Sequence, residues 1–378
     1  MKITIVMGFF LPVPPAAGGA TEKSWHQLAL EFARLGHEVT VITRAWRDWP
    51  NREIRDGVRY LRLRGYDHTA SLPRNLWLDF RWSVRVWRHL PAADITIVNC
   101  IALPVLLGWN RRRAGKVVVM TGRMPKGQYR LYRRVDRVLA VSTPVRAAVL
   151  AEKPRFGPLI RITGYPIYWQ VLARGRSPSA GGPVTLGFVG RIHREKGLDL
   201  LVAALADLAQ RTGLPPWRVL LCGPQDIERG GSGPAYAADL QHTLAEVLPA
   251  GAFELRPPVF AAGELATIYR SLDIFCYPSL AARGETFGVA VAEAMAAGAV
   301  PVVSQLDCFS DFVRAGENGE VFDQTAPDAP RRLAGLLAGL LADEARRRRL
   351  AAAAREETER YDFPVFAERL LADFSTLK

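Results

Sequence analysis

The sequence predicts an α/β protein built from two doubly wound domains that face each other across a cleft. Short apolar strands alternate with helices of ten or more residues, and this alternation starts twice, near residue 2 and near residue 184. The chain has 378 residues, more than one hydrophobic core usually supports. A stretch rich in Gly, Ser, Pro and Arg, residues 172–183, separates the two series and is typical of a linker.

The first series predicts a helix over residues 21–35, which Gly36 ends, and six strands. The predicted strands are residues 2–7, 38–43, 58–63, 95–99, 116–120 and 137–141. A signal peptide is the alternative for the first residues, because small residues at 16–18 follow an apolar run. A single lysine near the start and several prolines within the run favour a buried first strand.

The second series predicts five strands, four helices between them, and three helices at the end of the chain. The strands are residues 184–189, 217–222, 253–255, 274–277 and 300–303; the helices are residues 198–211, 235–247, 262–271, 288–297, 329–341, 344–360 and 365–374. A kink at Pro364 is expected to send the last helix back to the first domain. The predicted domains are therefore residues 1–172, joined by 363–378, and residues 173–362.

Composition narrows the classes of protein and of partner. The four cysteines lie far apart in apolar stretches, which favours buried, reduced thiols in a cytoplasmic protein over a zinc site. No run of 18 or more apolar residues is present, so a membrane span is not expected. The net charge of +13 would attract nucleic acid, anionic lipid or a phosphorylated substrate, unless it reflects only an arginine-rich genome.

Residues 281–298 (A-A-R-G-E-T-F-G-V-A-V-A-E-A-M-A-A-G) carry the strongest functional signal, because they follow a predicted strand and lead into a helix. The first backbone N–H groups of that helix, at Phe287, Gly288 and Val289, suit a phosphate. Glu293 lies further along the helix among apolar residues, where a carboxylate is costly to bury without donors. A ribose diol would supply two donors; exposure to solvent or pairing with an arginine are the alternatives.

This segment resembles the E-x7-E motif of the retaining glycosyltransferases of family 4, also called glycosyl transferases group 1, which adopt the GT-B fold of two Rossmann-like domains. The resemblance implies that Glu293 binds the ribose of a nucleotide-sugar donor and that Glu285 binds hydroxyls of the donor sugar. It also implies that the amides of Thr286, Phe287 and the residues after them hold sugar and phosphate.

A second glycine turn, residues 188–197 (F-V-G-R-I-H-R-E-K-G), follows the strand 184–189. Arg191 and Lys196 bring two cations to this turn, where they could neutralise a diphosphate; a basic surface loop is the alternative. The turn resembles the family's G-R-x4-K-G element. The resemblance implies that Gly190 lies at the donor, and that Arg191 and Lys196 bind the diphosphate and assist its departure.

Weaker elements resemble the same family. Gly18 and Gly19 resemble a glycine pair whose amides face phosphate or sugar, and Gly223 resembles the strand-end turn near the nucleobase. Phe260 lies in a segment resembling the one that flanks the base through its backbone.

One position departs from the family pattern. Many members have a histidine after the fourth or fifth strand of the first domain, and Thr121 stands there in this chain. Asn99 closes the preceding strand, so Asn99 and Thr121 are the possible sugar contacts.

The resemblance also implies a mechanism without a side-chain nucleophile, in which a donor diphosphate oxygen deprotonates the acceptor hydroxyl on the face that the leaving group occupied. Arg191, Lys196 and Glu285 are then the expected catalytic residues, and the two cations with the helix start would stabilise the leaving charge. We expect no metal ion and no other cofactor, since no suitably placed Asp-x-Asp pair is found.

The acceptor, expected to be a glycan or a lipid-linked sugar, is predicted to bind the first domain. Residues 74–88 mix three tryptophans with four arginines at helical spacing, which suits an interfacial helix on anionic lipid. A core-packing helix with a solvated basic face is the equal alternative. Arginines at 111–113 and within 130–137 add charge to the same domain, so attachment to the inner face of the cytoplasmic membrane is expected if the lipid interpretation holds.

Other classes of protein are less well supported. A sugar-nucleotide 2-epimerase of the same fold would need catalytic carboxylates and a histidine that the sequence does not place. A non-catalytic glycan- or lipid-binding homologue is supported only by Thr121. A dehydrogenase lacks its G-x-G-x-x-G turn after the first strand, and no nucleic-acid-binding module is recognised, so nucleic acid is not an expected partner.

Overall fold

A computed structural model describes residues 1–16, 18–109, 111, 113–175, 182–282 and 284–377. The chain divides into two compact units, Met1–Pro166 with Phe363–Lys378, and Ile167–Asp362. Each unit is a mainly parallel sheet with helices between its strands, which confirms the predicted pair of doubly wound α/β domains. The predicted boundary at residue 172 falls inside the second unit, and residues 176–181 of the predicted linker lie outside the described residues.

The described part of the first unit contains an eight-stranded sheet in the order β3-β4-β2-β1-β5-β6-β7-β8. The strands are β1 (Lys2–Val6), β2 (Glu38–Arg44), β3 (Arg52–Arg55), β4 (Val58–Leu63), β5 (Ile95–Val98), β6 (Lys116–Thr121), β7 (Arg137–Ala140) and β8 (Ile160–Ile162). The helices between them are α1 (Ala20–Arg34), α2 (Leu72–His89), α3 (Leu103–Leu107) and α4 (Thr143–Glu152). Only the β3–β4 pair is antiparallel among these strands.

The first strand, for which a signal peptide was the alternative, is a buried strand in the middle of this sheet. β1 pairs in parallel with β2 on one side and with β5 on the other. The chain order therefore reverses between β1 and β5, and the loops that follow these strands form the switch point of the first unit.

The second unit has a six-stranded, all-parallel sheet within its described residues, in the order β11-β10-β9-β12-β13-β14. Its helices are α5 (Trp169–Ala173), α6 (Leu198–Ala209), α7 (Pro234–Val247), α8 (Ala262–Arg270), α9 (Val289–Ala296), α10 (Ala329–Ala342) and α11 (Glu344–Glu359). Its strands are β9 (Val184–Val189), β10 (Trp217–Cys222), β11 (Phe253–Arg256), β12 (Ile274–Tyr277), β13 (Val300–Ser304) and β14 (Glu320–Phe322). Here the order reverses between β9 and β12.

The last helix, α12 (Phe363–Ser375), belongs to the first unit. The Phe374 ring meets the Phe32 ring of α1 at 6.5 Å, and Asp373 pairs with Arg137 of β7 at 2.8 Å. The predicted kink at Pro364 is wrong: α11 ends at Glu359, and Pro364 lies in the first turn of a new helix, where a missing N–H costs no hydrogen bond.

The four cysteines, Cys100, Cys222, Cys276 and Cys308, are free and buried, as predicted. Burial raises the pKa of Cys276 and of Cys308 above the usual value, so these thiols stay protonated. They behave as small apolar side chains of the core.

Candidate active site

The switch point of the second unit brings the two strongest sequence segments together. Gly190 and Arg191 follow β9, and Lys196 ends the short 3-10 turn that leads into α6. Glu285 lies on the loop between β12, the neighbour of β9, and α9. Because the carboxyl ends of parallel strands share one edge of the sheet, Arg191, Lys196 and Glu285 lie on that edge.

Lys196 and Glu285 form an ion pair inside this edge. The Lys196 ammonium contacts Oε1 of Glu285, and the two residues are only 6% and 8% exposed. A buried charge is tolerated when it is paired and hydrogen-bonded, as both are here. The sequence placed both residues at the donor but did not predict this contact, since 89 positions separate them.

A buried tyrosine, Tyr277, also contacts this ion pair. The Tyr277 hydroxyl donates a hydrogen bond to the same Oε1 of Glu285 at 3.0 Å, and the Lys196 ammonium lies 5.4 Å from the centre of the Tyr277 ring. Burial, followed by the charge of Glu285, raises the pKa of Tyr277 well above its ordinary value, so the hydroxyl remains a donor. Sequence reasoning missed Tyr277, although it is the last residue of a predicted strand.

Arg191 is held at the rim of the site with its guanidinium partly exposed. Its Nη1 donates to the Gly230 carbonyl at 3.1 Å, and its Nη2 donates to Oε1 of Glu195 at 2.5 Å. The 3-10 turn itself is closed by His193, whose Nδ1 accepts from the Glu195 N–H at 3.1 Å. Arg191 and Lys196 therefore bring a partly exposed guanidinium and a buried ammonium to the same segment, two cations of the kind that bind diphosphate oxygens.

The start of α9, where the sequence predicts a phosphate, is a glycine turn fixed by aromatic packing. Gly288 precedes the first residue of α9, Val289, and has φ of 92°, a conformation that favours glycine. A Cβ on Gly288 would lie 2.4 Å from the Phe309 ring. Phe287 is buried against Phe312 at 4.9 Å, so this turn is locked by packing, while Thr286 is half-buried beside it.

Glu293 is half-buried in the second turn of α9 and has a different partner from those the sequence suggested. The hydroxyl of Tyr269, a buried residue of α8, donates to Oε2 of Glu293 at 2.9 Å. Burial and then the charge of Glu293 raise the pKa of Tyr269 well above its ordinary value. Tyr269 is the second functional candidate that sequence reasoning missed.

Two further predicted residues lie at the ends of β10 and β11. Gly223 packs directly on Gly190, because a Cβ at Gly223 would lie 1.7 Å from the Gly190 carbonyl oxygen. Phe260 is 60% exposed, and the Arg229 guanidinium lies 5.8 Å from the centre of its ring. The sequence predicted that this segment acts through its backbone, and in the structure the Phe260 side chain is exposed as well.

The predicted residues of the first unit lie at the carboxyl ends of β1, β5 and β6. Gly18 and Gly19 precede α1, and the half-buried Asn99 donates from Nδ2 to the Val6 carbonyl at 3.2 Å. Thr121 is buried, and its hydroxyl is hydrogen-bonded to that of Tyr129. A sugar contact through the Thr121 side chain therefore stays a prediction that this arrangement does not favour.

A buried carboxylate at the same edge was missed. Glu22, in the first turn of α1, is almost fully buried. Burial raises its pKa, while its own backbone N–H and the charge of Arg123, which follows β6, lower it. An acidic residue three positions after Gly19 was the available signal, since a helix start favours a negative charge.

A cavity of about 820 Å³ in the second unit lies away from these residues. It is lined at the amino ends of strands, near Val184 and Asp273, and by α11. Its arginines are already engaged: Arg348 pairs with Glu344, and Arg355 donates to the Ala173 carbonyl. It adds no further candidate site.

The aromatic and basic helix of the first unit, α2, has two distinct faces. Its inner face is core: Trp82 is fully buried and donates from Nε1 to the Met7 carbonyl at 3.0 Å, and Asp79 accepts from the Ala102 N–H at 2.8 Å. Its outer face exposes Trp77 and Trp87. The core-packing interpretation is therefore confirmed for the inner face, whereas the lipid interpretation stays a prediction for the outer face. Arg112 of the predicted basic cluster lies outside the described residues.

Comparison with known proteins agrees with this geometry. Residues 172–357 match the family described as "Glycosyl transferases group 1", and residues 17–155 match "Glycosyltransferase Family 4". The chain is 32% identical to a phosphatidyl-myo-inositol mannosyltransferase of Mycobacterium tuberculosis over 59% of its own length and 51% of that protein. The chain thus spans about half the length of the curated relatives it matches.

Two solved structures share the fold. A sucrose-phosphate synthase of Thermosynechococcus elongatus superposes with a TM-score of 0.75 at 20% identity, covering 100% of this chain and 99% of that one. The Anabaena protein HepE, solved in complex with UDP and glucose, has a TM-score of 0.70 at 17% identity and covers both chains completely.

The two Rossmann-like units, the second of which carries cations, glutamates and a helix start at its switch point, have the GT-B fold. The two family matches place the chain more narrowly. It belongs to the glycosyl transferases group 1, the family 4 type that the E-x7-E and G-R-x4-K-G elements indicated.

Proposed function

We propose that this chain is a retaining glycosyltransferase that moves a sugar from a nucleotide-diphosphate sugar to a hydroxyl of a glycan or lipid-linked acceptor. The observation that carries the proposal is the buried Lys196–Glu285 pair on the sheet edge that also holds Arg191 and the α9 start. A cell-envelope or exopolysaccharide product, made at the cytoplasmic side of a membrane, is the role we infer.

The charges of this edge suit a donor with two phosphates and a sugar. Arg191 and Lys196 supply the cations, and the amides of Phe287 to Val289 supply hydrogen-bond donors at the positive end of α9. Glu285 supplies hydrogen-bond acceptors for the hydroxyls of the sugar, and Glu293 supplies them for the hydroxyls of the ribose. A nucleoside diphosphate alone would leave Glu285 without its proposed ligand.

We propose a retaining course without a protein nucleophile, and the contacts of Glu285 support the absence of such a nucleophile. Its Oε1 is engaged by both Lys196 and Tyr277, so the carboxylate is suited to accept hydrogen bonds from a sugar rather than to attack its anomeric carbon. The diphosphate oxygen would deprotonate the acceptor hydroxyl, and the cations would stabilise the charge as it develops on the leaving group.

The exposed apolar side chains of the second unit support a place for the nucleobase. Within the described residues, its exposed large apolar side chains are Ile227, Phe260 and Leu280, and these follow β10, β11 and β12 at the carboxyl edge. Arg229 over the Phe260 ring offers a stacking platform. We propose that the base lies here, beside the Gly190–Gly223 contact.

Thermal unfolding with UDP-, GDP-, ADP- and dTDP-sugars tests this function. At a concentration 100 times Kd, the correct donor should stabilise the protein by about 2.7 kcal/mol. It should also be hydrolysed slowly when no acceptor is present. EDTA should change neither result, because Arg191, Lys196 and the helix start are proposed to supply the positive charge. Stabilisation by none of the donors would contradict the function.

A non-catalytic glycan- or lipid-binding homologue is the second candidate. It is favoured by Thr121, which is buried where many family members have a sugar-contacting histidine. The hydrolysis arm separates the two: a donor that stabilises the protein but is never hydrolysed, with or without acceptor, supports the non-catalytic candidate.

An anionic membrane surface is the partner we propose for the outer face of α2. Its exposed side chains combine apolar Leu72, Leu76, Trp77 and Phe80 with Arg74, Arg81 and Arg88. Amphipathic helices with this composition bind at lipid headgroups. The described residues contain no helix with the length and apolar character needed to cross a membrane. The name of one relative, phosphatidyl-myo-inositol mannosyltransferase, also supports a lipid acceptor.

Flotation with vesicles tests the membrane proposal. We expect the wild type to float with vesicles containing anionic lipid and to remain unbound with neutral vesicles or at high salt. Trp77→Ser with Trp87→Ser should weaken binding at least tenfold, since both rings are exposed. Ile54→Ser, which alters a still more exposed apolar side chain on the edge strand β3, is the control. Equal flotation of all three proteins would contradict the proposal.

A further inference from the structure

Each of the two motif glutamates is held by one buried tyrosine. Tyr277 donates to Glu285 at 3.0 Å, and Tyr269 donates to Glu293 at 2.9 Å. The two tyrosines come from different elements, the end of β12 and the last turns of α8. Neither hydroxyl was needed to explain the donor site, yet both point to the carboxylates on which that site depends.

The two tyrosine rings belong to one aromatic cluster in the core, because both contact Phe275. The Phe275 ring lies 5.8 Å from the Tyr277 ring and 6.0 Å from the Tyr269 ring. Phe188 of β9 also stacks on Tyr277, with ring centroids 5.5 Å apart. Packing of this kind leaves each ring one orientation, so the hydroxyls are fixed before any ligand arrives.

The hydrogen bonds also distinguish the oxygens of Glu285. Lys196 and Tyr277 both contact Oε1, which leaves Oε2 outside this pair of contacts. A carboxylate with one oxygen tied in this way has its plane and rotamer set, and the second oxygen takes a defined direction. Pre-organisation of this kind reduces the free-energy cost of ordering the Glu285 carboxylate when a ligand binds.

We propose that Tyr277 and Tyr269 are positioning residues for donor recognition, Tyr277 orienting Glu285 towards the sugar and Tyr269 orienting Glu293 towards the ribose. The inference rests on the proposed function, because it assigns the two glutamates to two parts of one nucleotide-sugar. Both tyrosines act through a glutamate and touch no ligand themselves. Their high pKa values keep both hydroxyls protonated throughout the working pH range.

The two tyrosines should have separable effects, which a merely structural role would not produce. The test compares Kd for a nucleoside diphosphate with Kd for the corresponding nucleotide-sugar, using UDP with UDP-glucose and GDP with GDP-mannose. Tyr277→Phe keeps the ring and removes only the hydroxyl. It should leave Kd for the diphosphate within about twofold and weaken binding of the nucleotide-sugar about 10- to 100-fold.

Tyr269→Phe should instead weaken binding of both ligands by a similar factor, about tenfold or more, because both contain the ribose. Tyr236→Phe, which removes an equally buried hydroxyl from α7 of the same unit, is the control and should bind both ligands as the wild type does. Thermal unfolding of all three variants checks that each is folded at the temperature of the titration.

A double-mutant cycle completes the test. If Tyr277 acts through Glu285, adding Tyr277→Phe to Glu285→Ala should change Kd for the nucleotide-sugar no further. Equal additional losses in both backgrounds would overturn the inference, as would wild-type affinities in Tyr277→Phe and Tyr269→Phe. A wild type that binds none of the UDP-, GDP-, ADP- and dTDP-sugars contradicts the proposed function itself, so the two failures are distinguishable.

Discussion

Lys196→Ala should lower kcat about 100- to 1000-fold while raising Kd for the donor by a smaller factor. The Lys196 ammonium is proposed to stabilise charge that develops on the leaving diphosphate, so its loss acts mainly on the transition state. The same substitution leaves Glu285 as a buried, unpaired carboxylate, which costs about 3–5 kcal/mol of stability. Steady-state kinetics together with denaturant unfolding measure both effects.

Three companion variants separate catalysis from stability. Arg191→Ala should lower kcat similarly with little loss of stability, because its guanidinium is partly exposed. Arg194→Ala removes a more exposed cation from the same turn and should be nearly normal. Lys196→Ala with Glu285→Ala should recover stability relative to Lys196→Ala but stay inactive. Unchanged turnover in both Lys196→Ala and Arg191→Ala would contradict the assignment.

Gly288→Ala should destabilise the protein and weaken donor binding together. Alanine is strained at φ of 92°, and its Cβ would lie 2.4 Å from the Phe309 ring, so the start of α9 must shift. We expect a loss of about 2–4 kcal/mol from strain and overpacking. Because the shifted amides are those proposed to hold phosphate, Kd for the donor should rise about tenfold or more.

Gly335→Ala is the matched control for this glycine. Gly335 lies within α10, and a Cβ there would meet nothing within 4 Å. Alanine should therefore stabilise the protein by about 0.5–1 kcal/mol and leave donor binding unchanged. Wild-type stability and affinity in Gly288→Ala would show that the α9 start tolerates a side chain, against the proposed phosphate contact.

The sequence predicted the sheets well wherever a strand is an apolar run flanked by helices. The predicted bounds of β4, β9, β10 and β12 agree with the structure to the residue. β3, with the sequence R-E-I-R, was missed because it is an exposed edge strand with almost no apolar pattern and depends on its antiparallel pairing with β4. β8 and β14 are edge strands of three residues, too short for a pattern.

In the candidate site, the sequence predicted residues but not their partners. The spacing of Glu285 and Glu293 is a linear pattern, whereas the contact between Lys196 and Glu285 joins residues on two strands' loops. Tyr277 and Tyr269 reach their glutamates only after β12 and α8 have packed into the fold. Such contacts depend on tertiary distances that no local motif specifies.

Helix α2 shows a limit of a different kind. Its buried residues, Asp79, Trp82, Ser83 and Val86, follow the i, i+3, i+4, i+7 spacing of one helix face. Of its three tryptophans, Trp82 faces the core while Trp77 and Trp87 are exposed. The presence of three tryptophans in the segment therefore does not show which face of the helix is buried. The phase of the helix, rather than its composition, separates the core residues from the proposed membrane face.

A crystal structure with a bound nucleotide-sugar tests the central claim most directly. The account predicts diphosphate oxygens within about 3.2 Å of Arg191, Lys196 and the amides at the start of α9, with the ribose on Glu293 and the sugar on Glu285. A nucleotide bound elsewhere in the second unit, with the Lys196–Glu285 pair undisturbed and without ligand contact, would contradict it.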